Sequence, residues 1–166
     1  MKKLTIAEIV AGNREHWPEV DTPTSITIIA LIRLNDLVME RYKEILLGYG
    51  LTQAGFEVLA TLRGLPEPNC LTPTELYRSI LITSGGMTKV LKGLEENALI
   101  LRKSNPDDQR SRFVQLTDKG RALAEASMEA VSQEEQKMLE SALTPQQIAQ
   151  LSSVLMRTVN KLESTD

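Results

Sequence analysis

Two short helix-start signals constrain this chain more than anything else in it. Thr72-Pro73-Thr74-Glu75 and Thr144-Pro145-Gln146-Gln147 each set a threonine at an N-cap and a proline at the first helical position. The Glu or Gln at the third position returns a hydrogen bond to the cap. Thr22-Pro23, Thr52 and Thr117 repeat the signal more weakly, so the chain reads as mostly helical. The first long helix is expected from Thr24 to Leu47, stopped where Gly48 and Gly50 supply C-cap conformations. Its residues Ile26, Ile28, Ile29, Leu31, Ile32 and Leu34 are apolar on more than one face, which a single neighbour cannot cover. After Thr144, the residues Ile148, Leu151, Leu155, Thr158 and Leu162 recur at alternating steps of three and four, a seam suited to another helix. A further long helix is expected between Lys119 and Ser141. Both ends of the chain therefore read as helices that need partners, which points to a dimer built from the termini.

The middle differs in kind. A helix from Gln53 to Arg63 ends at Gly64, and the loop from Leu65 to Cys70 leads to a short helix from Pro73 to Leu81. Ile82-Thr83 makes a tight turn, after which Thr83 or Ser84 caps a helix reaching Asn97: a helix-turn-helix. In its second helix Met87, Val90, Leu91, Leu94 and Ala98 form one apolar stripe. The β-prone runs Leu99 to Lys103 and Phe113 to Leu116, around a polar loop, read as a hairpin. The expected architecture is mostly α with a small β-hairpin: a winged helix-turn-helix with long N- and C-terminal dimerisation helices. Its segments are 1–50 (N-terminal segment and first dimerisation helix), 51–116 (winged-helix lobe) and 117–166 (C-terminal dimerisation helices).

Composition excludes several functions. The 166 residues contain one cysteine, Cys70, and one histidine, His16, so neither an intramolecular disulfide nor a soft Cys/His metal cage is available. The nearest carboxylate clusters, Glu95-Glu96, Asp107-Asp108 and Glu134-Glu135, are sequence neighbours that read as solvated faces and turns rather than an acid/base pair. No catalytic centre, resident metal or cofactor is expected. No apolar run approaches the ~18 residues of a membrane span, and the N-terminus lacks a signal-peptide core, which places the chain in the cytosol, away from membranes.

Net charge is -3, which taken whole speaks against nucleic acid. Between Tyr77 and Arg121, however, nine cations stand against five acids, a net of +4, leaving -7 for the rest. Phosphate binding needs local cations, not a positive molecule. On the second helix of the helix-turn-helix, Ser84, Gly85, Thr88, Lys89 and Lys92 occupy the face that a recognition helix turns to a major groove. Solvation alone explains two such lysines equally well. At the hairpin tip and return, Arg110 and Arg112 are placed to enter a minor groove, with Asp108 two residues away to hold Arg110 in a bidentate pair. An ordinary solvated turn after Pro106 accounts for the same residues.

The stretch Leu71-Thr72-Pro73-Thr74-Glu75-Leu76, the run Ser84-Gly85-Gly86-Met87-Thr88-Lys89-Val90-Leu91-Lys92-Gly93-Leu94-Glu95, and above all Asp107-Asp108-Gln109-Arg110-Ser111-Arg112 followed by Phe113-Val114-Gln115-Leu116-Thr117-Asp118-Lys119-Gly120 resemble the MarR family of bacterial transcription regulators. That resemblance implies a two-fold homodimer with interleaved terminal helices, binding double-stranded DNA at a palindromic operator, usually as a repressor. Within the family the chain looks most like the urate- and purine-type ligand-sensing branch. Trp17, Asp21-Thr22-Pro23 and Phe56-Glu57-Val58-Leu59-Ala60-Thr61-Leu62-Arg63 carry that likeness. It implies ligand contacts from Trp17, Glu57 and Arg102 to a small aromatic or anionic effector, whereas Val90 stands where that branch has an arginine. Glu57 and Arg102 also fit a plain structural ion pair. A winged helix serves elsewhere as a protein-docking module without DNA, and fold alone does not choose between the two.

Overall fold

The computed structural model describes residues 3–80, 86–104 and 112–164, and the chain divides into two compact units, 1–44 and 45–166.

The first unit opens with a helix that the sequence reading above leaves unassigned, α1 (Ile6–His16). Its signal is a third capping box, in which Thr5 Oγ1 accepts from the Glu8 amide while Glu8 Oε2 accepts from the Thr5 amide at 2.6 Å. A single 3-10 turn over Pro18–Val20 follows, and Arg14 Nε donates to Asp21 Oδ2 at 2.8 Å. The long helix α2 (Pro23–Gly48) carries exposed Ile28, Leu31, Ile32 and Leu37. Its last four residues belong to the second unit.

That second unit holds α3 (Gln53–Arg63), β1 (Cys70–Leu71), α4 (Pro73–Ser79), α5 (Met87–Glu96), β2 (Ile100–Ser104), β3 (Arg112–Leu116), α6 (Asp118–Glu140) and α7 (Pro145–Glu163). Its core is assembled from Phe56, Val58, Leu59 and Leu62 of α3, Leu76, Leu91 and Leu94 of the helix-turn-helix, Ile100 and Val114 of the sheet, and Ala124 and Val131 of α6. α3 starts at the Thr52 cap and stops at Gly64, as expected. Along α7 no residue is buried, and Val154, Met156, Val159 and Leu162 are exposed. No single described helix is long and apolar enough to cross a membrane.

Three local expectations are corrected. The segment taken as loop through Cys70 contains a strand: β1 pairs antiparallel with β3, Cys70 opposite Gln115, giving a three-stranded sheet in the order β1-β3-β2. Two residues are too few to show a period. The second helix of the helix-turn-helix starts at Met87, later than a cap at Thr83 or Ser84 would place it. Its N-cap is Gly86, at φ 116 and without a side-chain hydrogen bond, and Thr83 and Ser84 lie outside the described residues. Ala98 also leaves the apolar stripe. It sits past the helix end at φ 55, where the Ala98 amide bonds Glu95 O and the Leu99 amide bonds Leu94 O. This paired arrangement is a Schellman motif with alanine in the position that usually takes glycine.

The Leu-Thr-x-x-Gly motif at 116–120 acquires a structural reason here. Thr117 caps α6 through the Gly120 amide while its hydroxyl donates to Ala98 O at 2.8 Å. Lys119 Nζ donates to Asn97 O at 2.9 Å. The return strand of the wing and the start of α6 are thereby fastened to the last turn of α5. A second fastening holds the α3–β1 loop, where Arg121 Nη2 donates to Glu67 Oε1 at 2.6 Å and to Asn69 Oδ1 at 2.7 Å. Asn69 is buried and donates in turn to Leu65 O.

Candidate nucleic-acid interface

Helix α5 buries Leu91 and Leu94 and half-buries Met87 and Val90, so that stripe is fixed against α3 and β2. The exposed residues of α5 are Thr88, Lys89 and Lys92 in its first two turns and Glu95 and Glu96 at its end. Lys92 lies three residues from Lys89 and four from Thr88, which puts all three side chains on neighbouring ground of one helix face. Lys92 Nζ is 3.6 Å from Glu96 Oε1, an exposed i,i+4 pair. No large apolar side chain of the described part of α5 is exposed. Ser84 and Gly85, the other two residues assigned to this face, lie outside the described residues.

Arg112 opens β3 as an exposed residue opposite Ser104, and Lys103 is exposed on β2 one residue earlier. Lys103 is a cation that the sequence reading counted but gave no role. Asp108 and Arg110 fall outside the described residues.

The three residues assigned to an effector are distributed differently from the expectation. Arg102 Nε pairs with Glu95 Oε2 at 3.3 Å, so its ion-pair partner is Glu95 and not Glu57. The turn at Ala98 brings β2 back alongside the end of α5, which places residues seven apart in sequence within reach. Glu57, half-buried on α3, has its carboxyl held above the ordinary range because burial penalises the charged form. Trp17 belongs to the N-terminal unit, where it is the C-cap of α1 and 61% exposed. Among the described residues no group of three or more His, Cys, Asp or Glu is placed to hold a metal ion.

Comparison with known proteins bears on the whole arrangement. The MarR family model matches residues 51–111, from the start of α3 through the helix-turn-helix and into the wing. The HTH-type transcriptional regulator PecS of Dickeya dadantii is 29% identical over 136 residues, covering 82% of this chain and 82% of PecS. The multiple antibiotic resistance protein MarR of Escherichia coli is 31% identical over 136 residues, covering 80% of this chain and 92% of that protein. A crystal structure of an E. coli MarR mutant complexed with operator DNA aligns at a TM-score of 0.63 and 31% identity, over 80% of this chain and 95% of that one. A relative matched along nearly its full length, a family model spanning the helix-turn-helix, and a shared fold together place this chain in the MarR family of transcriptional regulators.

Proposed function

We propose that the protein is a cytoplasmic homodimeric repressor that binds a palindromic operator and is released by a small aromatic or anionic ligand. The observation that carries the reading is the exposed Thr88, Lys89 and Lys92 face of α5 in a chain that is otherwise acidic. In this reading Ser84, Gly85, Thr88, Lys89 and Lys92 meet the major groove, while Arg110, oriented by Asp108, and Arg112 take the adjacent minor groove. The absence of exposed large apolar side chains on the described part of α5 favours DNA over a protein partner on this face. Exposed Val154, Met156, Val159 and Leu162 on α7, and exposed apolar residues on α2, support dimerisation through the terminal helices. Two-fold symmetry then requires half-sites about one helical turn, ~10 bp, apart.

The effector reading assigns Trp17, Glu57 and Arg102 to ligand contact, as in the urate- and purine-type branch. Such a ligand acts only to the extent that it binds one separation of the two recognition helices better than the other.

Fluorescence anisotropy with the duplex upstream of the protein's own gene tests the DNA reading. Binding should show two protomers per duplex and fall steeply with salt, and Arg112→Ala should flatten the slope. Affinity indifferent to salt and to Arg112 would reject it.

A further inference from the structure

The hairpin is held firmly at its base and progressively less along its length. The Leu99 amide bonds Leu94 O, the Thr117 amide bonds Leu99 O, and Ile100, Val114 and Leu116 are buried. Farther out, Arg102 and Phe113 are half-buried, while Lys103, Ser104 and Arg112 are exposed. From Leu99 to Ser104 the strand runs roughly 17 Å, so a swing of about 10° at its base carries the Ser104–Arg112 end by roughly 3 Å. A displacement of that size is the length of a hydrogen bond. Beyond Ile100, the last buried residue of β2, Arg102 Nε reaches back to Glu95 Oε2 at 3.3 Å and ties the strand to the last turn of α5. With side chains 24% and 44% exposed, such a pair adds little to the stability of the whole lobe. Its leverage lies in the angle that it sets.

We infer that Arg102 is a positioning residue for duplex binding: its pair with Glu95 fixes the angle between the hairpin and α5, so that Arg112 of β3 and Lys92 of α5 reach one duplex together. The inference rests on the reading of those two cations as duplex contacts, and it is separate from any contact of Arg102 with an effector. A hairpin free to swing must lose that freedom on binding, whereas one already held at the right angle does not. Glu95 separates this role from simple charge. As an acid beside the cations of α5 it repels phosphate, so by charge alone its removal strengthens binding. As the partner of Arg102 it does the opposite, and its removal weakens binding.

Anisotropy on the full chain, with the duplex upstream of its own gene, tests the assignment. Glu95→Ala and Arg102→Met should each weaken binding about tenfold, the scale of one lost charge-assisted contact. Each should also lower the slope of log affinity against log salt by about 0.9, the share of the Arg112 contact. In either background Arg112→Ala should cost little more, while Lys92→Ala should keep its full effect, a coupling that a general loss of structure does not produce. Glu95 is exposed, so Glu95→Ala carries the test if Arg102→Met fails to fold. Tighter or unchanged binding in Glu95→Ala overturns the inference, and tighter binding there beside a loss in Arg102→Met makes Arg102 a phosphate contact instead. Without duplex, backbone order parameters at Lys103 and Arg112 should fall in Glu95→Ala while those at Ile100 and Leu116 hold. If they fall in this way and the parent chain binds no duplex, the proposed function alone is refuted. If the parent chain and both variants bind duplex equally, this inference alone is refuted.

Discussion

The carbonyl oxygen of Leu99 lies 1.9 Å from the point that a Cβ on Gly120 would occupy. The obstacle is backbone on both sides, between the turn after α5 and the first turn of α6, so no side chain can rotate away to relieve it. Gly120→Ala must therefore push α6 off the end of the recognition helix and disturb the Thr117 bonds to Ala98 and Leu99. The expected cost is about 3 kcal/mol, at the upper end for overpacking. Urea denaturation checks it, and a midpoint equal to that of the parent chain would show that the two elements are not held this tightly.

One residue before Leu99, the same joint offers the opposite opportunity. Ala98 holds φ 55 at the position after the α5 C-cap, where a Cβ is penalised. Ala98 is exposed, so removing its methyl group creates no cavity. Ala98→Gly should stabilise the protein by up to about 1 kcal/mol, the relief of the left-handed strain less the extra unfolded-state freedom of glycine. Thermal denaturation of the pair should give a higher melting temperature for the variant.

Much of this joint was legible in sequence, and the remainder was not for identifiable reasons. Thr52, Thr72, Thr117 and Thr144 announced four helices because a cap and its partner lie within four residues of one another. Thr5 and Glu8 carried the same signal for α1 and went unread. By contrast, β1 exists only through its pairing with Gln115 and Val114, more than forty residues away. The same holds for Arg102, whose choice of Glu95 over Glu57 depends on the angle at which β2 leaves the Ala98 turn. The exposed Lys89 and Lys92 of α5 were visible as charge pattern, because the spacing that puts them on one helix face spans only three residues.

Arg121 is only partly exposed and satisfies the buried Asn69 side chain as well as Glu67. Arg121→Met keeps the aliphatic stem but leaves Asn69 Oδ1 without this donor. The expected loss is roughly 1–3 kcal/mol, the cost of an unsatisfied buried acceptor, with most of it arising at Asn69 because the Glu67 pair is solvent-facing. A Glu67→Gln control should cost far less, and equal losses in the two variants would shift the weight to the ion pair.

Two glutamates predict opposite pH trends. Burial holds the Glu57 carboxyl above its ordinary range, so the folded chain keeps that proton to a higher pH than the unfolded chain does. Its contribution is most favourable below about pH 4 and is lost as pH rises through the raised value. Glu57→Gln, always neutral, should be more stable than the parent chain at pH 7 and lose that advantage in acid. Glu75 is lowered by the side-chain and then the backbone hydrogen bond of Thr72, so its contribution is present at neutral pH and lost as pH falls through its folded value. Glu75→Gln should therefore differ most from the parent chain at pH 7 and least in acid. Melting curves at the two pH values separate the trends by sign.

The Lys92–Glu96 pair makes the DNA reading quantitative. At 3.6 Å, with both side chains mostly exposed, it contributes less than about 1 kcal/mol, and the lysine precedes the glutamate, the weaker orientation on a helix. A phosphate arriving at α5 must take Lys92 from Glu96 and accept the repulsion of that carboxylate. Glu96→Gln removes both obstacles and should tighten duplex binding a few-fold at low salt, with the gain shrinking as screening shortens the reach of the charge. Lys92→Ala should weaken binding and reduce the slope of log affinity against log salt by about 0.9, one phosphate contact. In the Lys92→Ala background the Glu96→Gln gain should fall to the small part due to direct repulsion, since no lysine is left to release. A gain of the same size in both backgrounds would show that Glu96 acts on the duplex by itself and that Lys92 is not a phosphate contact.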